Sequence, residues 1–180
     1  MRIIDISQPL LSCKVYPGDN PPMAKRVKQI ENDFYNLTEI SMSVHNGTHI
    51  DTPLHFIENG RSAEDFPLEI FYGKCAVSTW SEEIPKPCSR FLIKGNYVIS
   101  AEDAQKIINS NIRLIGVESQ SVGSVEKPME VHKILLGAGV ILLEGLNLSH
   151  VPNGEYTLSA FPLNISDCDG SPVRAVLIKN

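Results

Sequence analysis

The sequence predicts a mixed α/β fold in one domain spanning residues 1–180, with a mixed β-sheet and few helices. Three observations carry that reading. The length of 180 residues suits a single domain with one core. A composition of 42% hydrophobic and 21% charged residues is that of a globular chain able to bury such a core. Short apolar runs recur between scattered Pro and Gly residues, with no internal repeat, low-complexity tract or linker.

Taken in order, residues 3–6 read as a first strand. Tyr16-Pro17-Gly18-Asp19-Asn20-Pro21-Pro22 is a rigid loop that continues neither helix nor sheet. Leu37 to Val44 mostly alternates in polarity, predicting a strand with one buried face. Lys74 to Trp80 and Arg90 to Val98 follow as strands. Ser100 and Asp103 form a capping box that opens a helix through about Ile108. Ile112 to Val117 is a short apolar strand. Pro128 suits a first helical turn, and Val131 to Leu136 ends at Gly137, a C-terminal cap. Val140 to Leu143 reads as a buried strand. Tyr156 to Leu163 and Val173 to Ile178 complete the set as strands, separated by a turn over Asp167-Cys168-Asp169-Gly170-Ser171-Pro172. Many strands with few helices point to a mixed α/β domain.

Charge and composition exclude several classes of function. With 16 basic and 21 acidic residues the net charge is −5, so a nucleic acid is not expected as a partner. Asp5 interrupts the only apolar stretch near the N-terminus and no small-residue cleavage site follows, so no signal peptide is expected. No run of about 18 apolar residues exists to span a membrane. A soluble, cytoplasmic protein is expected. Cys13, Cys75, Cys88 and Cys168 form no C-x-x-C pair and read as free structural thiols.

Three of the five histidines fall in one segment, His45-Asn46-Gly47-Thr48-His49-Ile50-Asp51-Thr52-Pro53-Leu54-His55. Imidazoles and a carboxylate at this spacing are ligands for zinc or a similar divalent ion. The chain must bend for them to share one. Fully extended at about 3.3 Å per residue, His45 and His49 would lie about 13 Å apart. Asn46-Gly47-Thr48 supplies the bend, because Gly and Asn tolerate positive φ. A continuous helix would also put i and i+4 histidines on one face, but Gly47 and Pro53 weigh against it. A single histidine here would read as a solvated loop residue; the group with Asp51 points to metal.

A second clue lies far along the chain. Glu144 ends the apolar run Gly139-Val140-Ile141-Leu142-Leu143, and a carboxylate in such a place needs a cation or strong hydrogen bonds. His132 is on the preceding helix. Alone, Glu144 reads as a solvated strand end and His132 as a helix-surface residue; with the histidine segment they become further ligand candidates.

The pattern H-x-G-T-H-x-D-x-P-x-H at residues 45–55 resembles the signature of the cyclase family of metal-dependent hydrolases, whose members include bacterial kynurenine formamidases. The resemblance extends along the chain. Tyr16-Pro17-Gly18-Asp19 is similar to the family's W-P-G-D turn, Gly116-Val117-Glu118-Ser119 to its G-[VI]-D-S/T strand end, and Leu143-Glu144-Gly145-Leu146 to its L-E-G-L/I segment. Asp169 to Leu177 resembles its ending.

The resemblance implies an α/β swivelling β/β/α-type domain, assembled as a homodimer or homotetramer. It implies two divalent metal ions, with zinc the expected metal and manganese also compatible with His and carboxylate ligands. His45, His49 and Asp51 would ligate one ion and His132 the second, with Asp51 and Glu144 bridging. His55 would be the catalytic proton carrier, since imidazole exchanges protons near neutral pH. Tyr16 stands where the family places a substrate-contacting tryptophan, keeping an aromatic surface for an aryl substrate. Glu118 stands where aspartate is common. The implied reaction is hydrolysis of a small-molecule amide, an aryl formamide such as N-formylkynurenine, to kynurenine and formate by metal-activated water. Alternatives are hydrolysis of an isatin-like lactam or other amide, and a non-catalytic metal-binding protein. The chain is shorter than the formamidases between Trp80 and Ser100, which would reshape the pocket. His150 matches no catalytic position and reads as surface.

Overall fold

The computed structural model describes residues 1–81, 84–85, 88–124 and 128–179. Its elements are β1 (Arg2–Asp5), β2 (Met23–Lys28), α1 (Ile30–Asp33), β3 (Leu37–Ser41), β4 (His49–Asp51), β5 (Tyr72–Ser78), β6 (Arg90–Ile93), α2 (Ala101–Asn109), β7 (Leu114–Val117), α3 (Pro128–Gly137), β8 (Ile141–Glu144), β9 (Gly154–Ser159), β10 (Gly170–Pro172) and β11 (Val176–Lys179). Nine strands form one mixed sheet in the order β1-β11-β9-β5-β6-β7-β8-β4-β10. The centre, β5-β6-β7-β8, is parallel, and the remaining pairings are antiparallel.

The central strands are buried on both faces, which is why Arg90–Ile93, Leu114–Val117 and Ile141–Glu144 read as nearly continuous apolar runs and not as alternating ones. Successive side chains still point to opposite sides. Phe91, Ile93, Ile115 and Leu142 pack with Ala104 and Ile107 of α2 and Val131, Leu135 and Leu136 of α3. Leu92, Leu114, Ile141 and Leu143 pack on the other face with Ile50, Leu158, Leu177 and Ile4, so the sheet curls around this second cluster. Helix α2 begins as its sequence specifies: Ser100 Oγ accepts from Asp103 N at 3.1 Å and Asp103 Oδ2 accepts from Ser100 N at 3.1 Å. Among the described residues no helix is long and apolar enough to cross a membrane.

Several expectations need correction. The strand predicted over Leu37 to Val44 stops at Ser41, and neither of its faces is buried. It pairs with β2, a strand not expected from the sequence, in a separate two-stranded ribbon. Alternating polarity shows that a strand has an apolar face; it does not show that anything covers it. The strand expected to reach Val98 ends at Ile93, because the chain turns at Gly95, where φ is +91°. The turn predicted over residues 167–172 holds only at its start. Gly170–Pro172 instead forms β10, the edge partner of β4. Of the shortened 81–100 segment, residues 82, 83, 86 and 87 lie outside the described residues.

Candidate metal centre

The histidine segment reaches the middle of the fold through the expected bend. Gly47 has φ +69°, and Asn46 Oδ1 accepts from Ser43 N at 3.0 Å, which closes the turn before it. Thr48 then ties the bend to the end of β8, donating its hydroxyl to Gly145 O at 2.7 Å and accepting from Gln8 N at 2.8 Å. From there the chain runs as β4 between β8 and β10, with His49 opposite Glu144 and Asp51 opposite Gly170. Residues two apart on a strand share a face, so His49 and Asp51 project together beside Glu144. A 3-10 turn over Pro53–His55 brings His55 back to the same place. The continuous-helix alternative is not what forms.

His132 arrives from α3. Neither it nor Glu144 is at the surface: they are 3% and 2% exposed, against the solvated positions each would be given alone. The two carboxylates both face His49 and His132. Asp51 sets Oδ1 3.3 Å from His49 Nε2 and Oδ2 3.5 Å from His132 Nε2. Glu144 sets Oε2 3.6 Å from His49 Nε2 and Oε1 3.3 Å from His132 Nε2. Glu144 Oε1 also accepts from Val122 N at 2.8 Å. His45 Nδ1 lies 2.9 Å from Asp51 Oδ1, so all six sequence-predicted histidine and carboxylate positions meet, with His55 stacked on His45 at 4.0 Å between ring centres.

Burial and charge act against each other here. Desolvation alone would push the His49 and His132 imidazoliums down, but hydrogen bonds and charge from Asp51 and Glu144 outweigh it and raise both to about 10. His45 is likewise raised, to about 9, because Asp169 and Asp51 overcome its burial. Burial would lift the Asp51 carboxyl, and the three imidazoles around it hold it well below its usual value. Such a cluster stores a strong preference for positive charge.

A divalent cation fits that demand. Asp51 Oδ2 is buried, with His132 Nε2 at 3.5 Å and no closer hydrogen bond among the described residues. A carboxylate oxygen left this way is expensive unless a cation meets it. Ligand atoms of His49, Asp51 and Glu144 lie within 4.8 Å of one another, as do those of His45, Asp51 and His55. Nitrogen and carboxylate donors without thiolate suit zinc or a related ion.

The cluster floors a cavity of about 260 Å³ that Tyr16, Asp19, Phe56, Gln120 and Ser121 also line. Tyr16, singled out from the sequence, is therefore at the site. Glu118 is adjacent in sequence but serves the scaffold, because its carboxylate accepts from Gly95 N at 2.6 Å and Leu148 N at 2.7 Å and so ties two loops together. His150 is exposed, as expected, and its Nε2 meets Asp5 O at 3.1 Å. The residue that sequence reading missed is Asp169. Its Oδ2 lies 2.8 Å from His45 Nε2 and 3.1 Å from His55 Nδ1. An Asp before a Gly reads as turn chemistry, and only the pairing of β10 with β4 turns it toward the histidines.

Comparison with known proteins adds an independent line. The Cyclase family model matches residues 4–112. The kynurenine formamidase of Bacillus thuringiensis subsp. konkukian (strain 97-27) is 34% identical over 200 residues, covering 97% of this chain and 96% of that protein. The structure of a predicted metal-dependent hydrolase from Bacillus stearothermophilus superposes with a TM-score of 0.78 at 26% identity, covering 98% of this chain and 97% of the other. Isatin hydrolase A from Labrenzia aggregata shares the fold, with a TM-score of 0.81 at 24% identity over 99% of this chain and 94% of that one.

Proposed function

The chain belongs to the Cyclase family, and from that premise we propose that it is a metal-dependent amidohydrolase that cleaves an aryl formamide such as N-formylkynurenine to the free amine and formate. One observation carries the reading. Asp51 and Glu144 each present one oxygen toward His49 and the other toward His132, inside a cavity that also holds His55 and Tyr16. The similarity to kynurenine formamidases over nearly the whole chain supports the substrate class.

In this reading His45, His49, Asp51, His132 and Glu144 would hold two divalent ions, zinc in the first instance, with His45 and His49 on one side, His132 on the other, and Asp51 and Glu144 serving both. Bound ions would supply Lewis acidity, lowering the pKa of water and polarising the carbonyl under attack. The chain's own residues do the rest. His55 accepts a proton from the attacking water and returns it to the departing amine nitrogen at Nε2, the ring nitrogen opposite the one held by Asp169. Tyr16 and Phe56 offer aromatic surface to the aryl group, and the Ser121 hydroxyl, which has no hydrogen-bond partner among the described residues, can meet the amide.

The reading treats residues 1–180 as one domain, supported by the sheet that joins β1 to β11. It places the enzyme in the cytoplasm, where the four free cysteines would stay reduced. It makes the active form a homodimer or homotetramer. The β2–β3 ribbon supports assembly: Met23, Leu37 and Ile40 are exposed on a two-stranded unit, and such a unit is marginal without a cover.

The decisive experiment is N-formylkynurenine turnover by purified protein before and after chelation, with metal content measured alongside, and with His55→Asn as the variant. Expected are turnover restored by metal and a variant that keeps its metal but loses about 100-fold or more in kcat. Metal without turnover of this substrate would overturn the formamide reading. Isatin hydrolysis in its place would assign the lactam alternative.

A further inference from the structure

Asp169 belongs to no ligand or proton-carrier role assigned above, yet its carboxylate touches both a proposed ligand and the proposed proton carrier. Its Oδ2 lies 2.8 Å from His45 Nε2 and 3.1 Å from His55 Nδ1, with the two rings stacked 4.0 Å apart. A carboxylate accepts only, so each of those nitrogens donates. Asp169 thereby holds a proton on His45 Nε2; Asp51 Oδ1, 2.9 Å from Nδ1, is an acceptor as well, and the Nδ1 proton is the one that a bound ion would replace, so Nδ1 is the nitrogen turned to the ligand cluster. The proton of His55 is placed on Nδ1, leaving Nε2 as the atom that exchanges protons.

The backbone that carries this carboxylate is itself held in place. Asp169 O accepts from Thr52 N at 3.1 Å and from Thr52 Oγ1 at 3.0 Å, anchoring it to the end of β4. The next residue, Gly170, pairs with Asp51. A Cβ there would meet Ile50 O at 2.6 Å and His45 Cε1 at 2.8 Å, so only glycine lets β10 run this close to the His45 ring. Backbone anchors on one side and a glycine contact on the other place the Asp169 backbone beside the His45 and His55 rings, and the carboxylate is turned to both by its contacts with them. Outer partners of ligating histidines set the tautomer and orientation in this way.

We propose that Asp169 is a positioning residue that sets the tautomers of His45 and His55 through one oxygen, coupling a metal ligand to the proton carrier. The inference rests on the roles given to those two histidines under the proposed function. Its test uses Asp169→Ala, which removes the acceptor, and Asp169→Asn, which keeps a neutral one and leaves the backbone anchors to Thr52 intact. Long-range proton–nitrogen NMR of the histidine rings in zinc-loaded protein reads the tautomers directly.

In wild type, His55 is expected to carry its proton on Nδ1 alone. In the alanine variant it should become a mixture, with zinc affinity and kcat each falling about 10- to 100-fold at little-changed KM and the asparagine variant in between. Unchanged ring tautomers and unchanged zinc affinity in both folded variants would overturn the inference. Should one variant fail to fold by circular dichroism, the other carries the same comparison. A wild type that binds zinc but does not hydrolyse the formamide would defeat the hydrolase reading alone, since tautomers and zinc affinity still decide the role of Asp169.

Discussion

Without a bound ion the buried imidazoles would carry protons, and the chelated protein is expected to lose stability as pH rises. His45, His49 and His132 are raised from 6.5 to about 9, 10 and 10 by the carboxylates they face. A group raised in the folded state stabilises fully below its unfolded pKa, and that contribution is lost as pH climbs through the folded value. The window therefore runs from about pH 6.5 to about 10. Asp51 acts in the opposite sense: its lowered carboxyl stabilises above its ordinary value of 3.8 and fails only in acid.

The displacement of His49, about 3.5 pH units at about 1.4 kcal/mol each, corresponds to about 5 kcal/mol. His45, His49 and His132 share Asp51, so their contributions overlap, and the loss for the whole cluster is expected to be of that same order. Metal reverses the trend, because ligating imidazoles give up their protons and a bound ion stabilises the folded state more as pH rises. Urea unfolding of chelated and zinc-buffered protein at about pH 6, 7.5 and 9 measures both curves. The gap between them should widen with pH, which cancels the titration of groups remote from the site. A gap that stays flat or narrows would refute the account of why these imidazoles are charged.

Two further substitutions probe the frame around the cluster. Glu144→Gln keeps an acceptor for Val122 N but removes one of the two shared charges, and metal content after dialysis should drop, with affinity lower by about 10-fold or more; retention of full metal would contradict the bridging role. Gly145→Ala should destabilise the fold by well over about 1 kcal/mol, because φ is +69° and a Cβ would run into Gly47 O; an unfolding midpoint like wild type would show that the bend is not fixed there.

Much of the candidate site was legible in the sequence because its candidate ligands cluster along the chain. His45, His49, Asp51 and His55 sit within eleven residues, and the bend that gathers them is written as Asn46-Gly47-Thr48. Glu144 and His132 were legible only by combination, as a carboxylate ending an apolar strand and the histidine before it. The central strands were legible as strands because, buried on both faces, they keep apolar runs, and Ser100 with Asp103 encodes a helix start locally; their parallel pairing was not legible.

Other features depended on contacts that no local pattern records. Alternation over Leu37–Ser41 named an apolar face, but whether another layer covers it depends on the path of the whole chain, and in this fold the ribbon stands apart from the nine-stranded sheet. The Asp169-Gly170 pair has the chemistry of a turn, and its place beside His45 and His55 comes from pairing across more than a hundred residues of chain. Residue types and spacing determined which groups could bind a cation. The packing of β10 against β4, and of α3 against the sheet, decided which of their nitrogen and oxygen atoms face one another, because only long-range strand pairing and core burial set those distances.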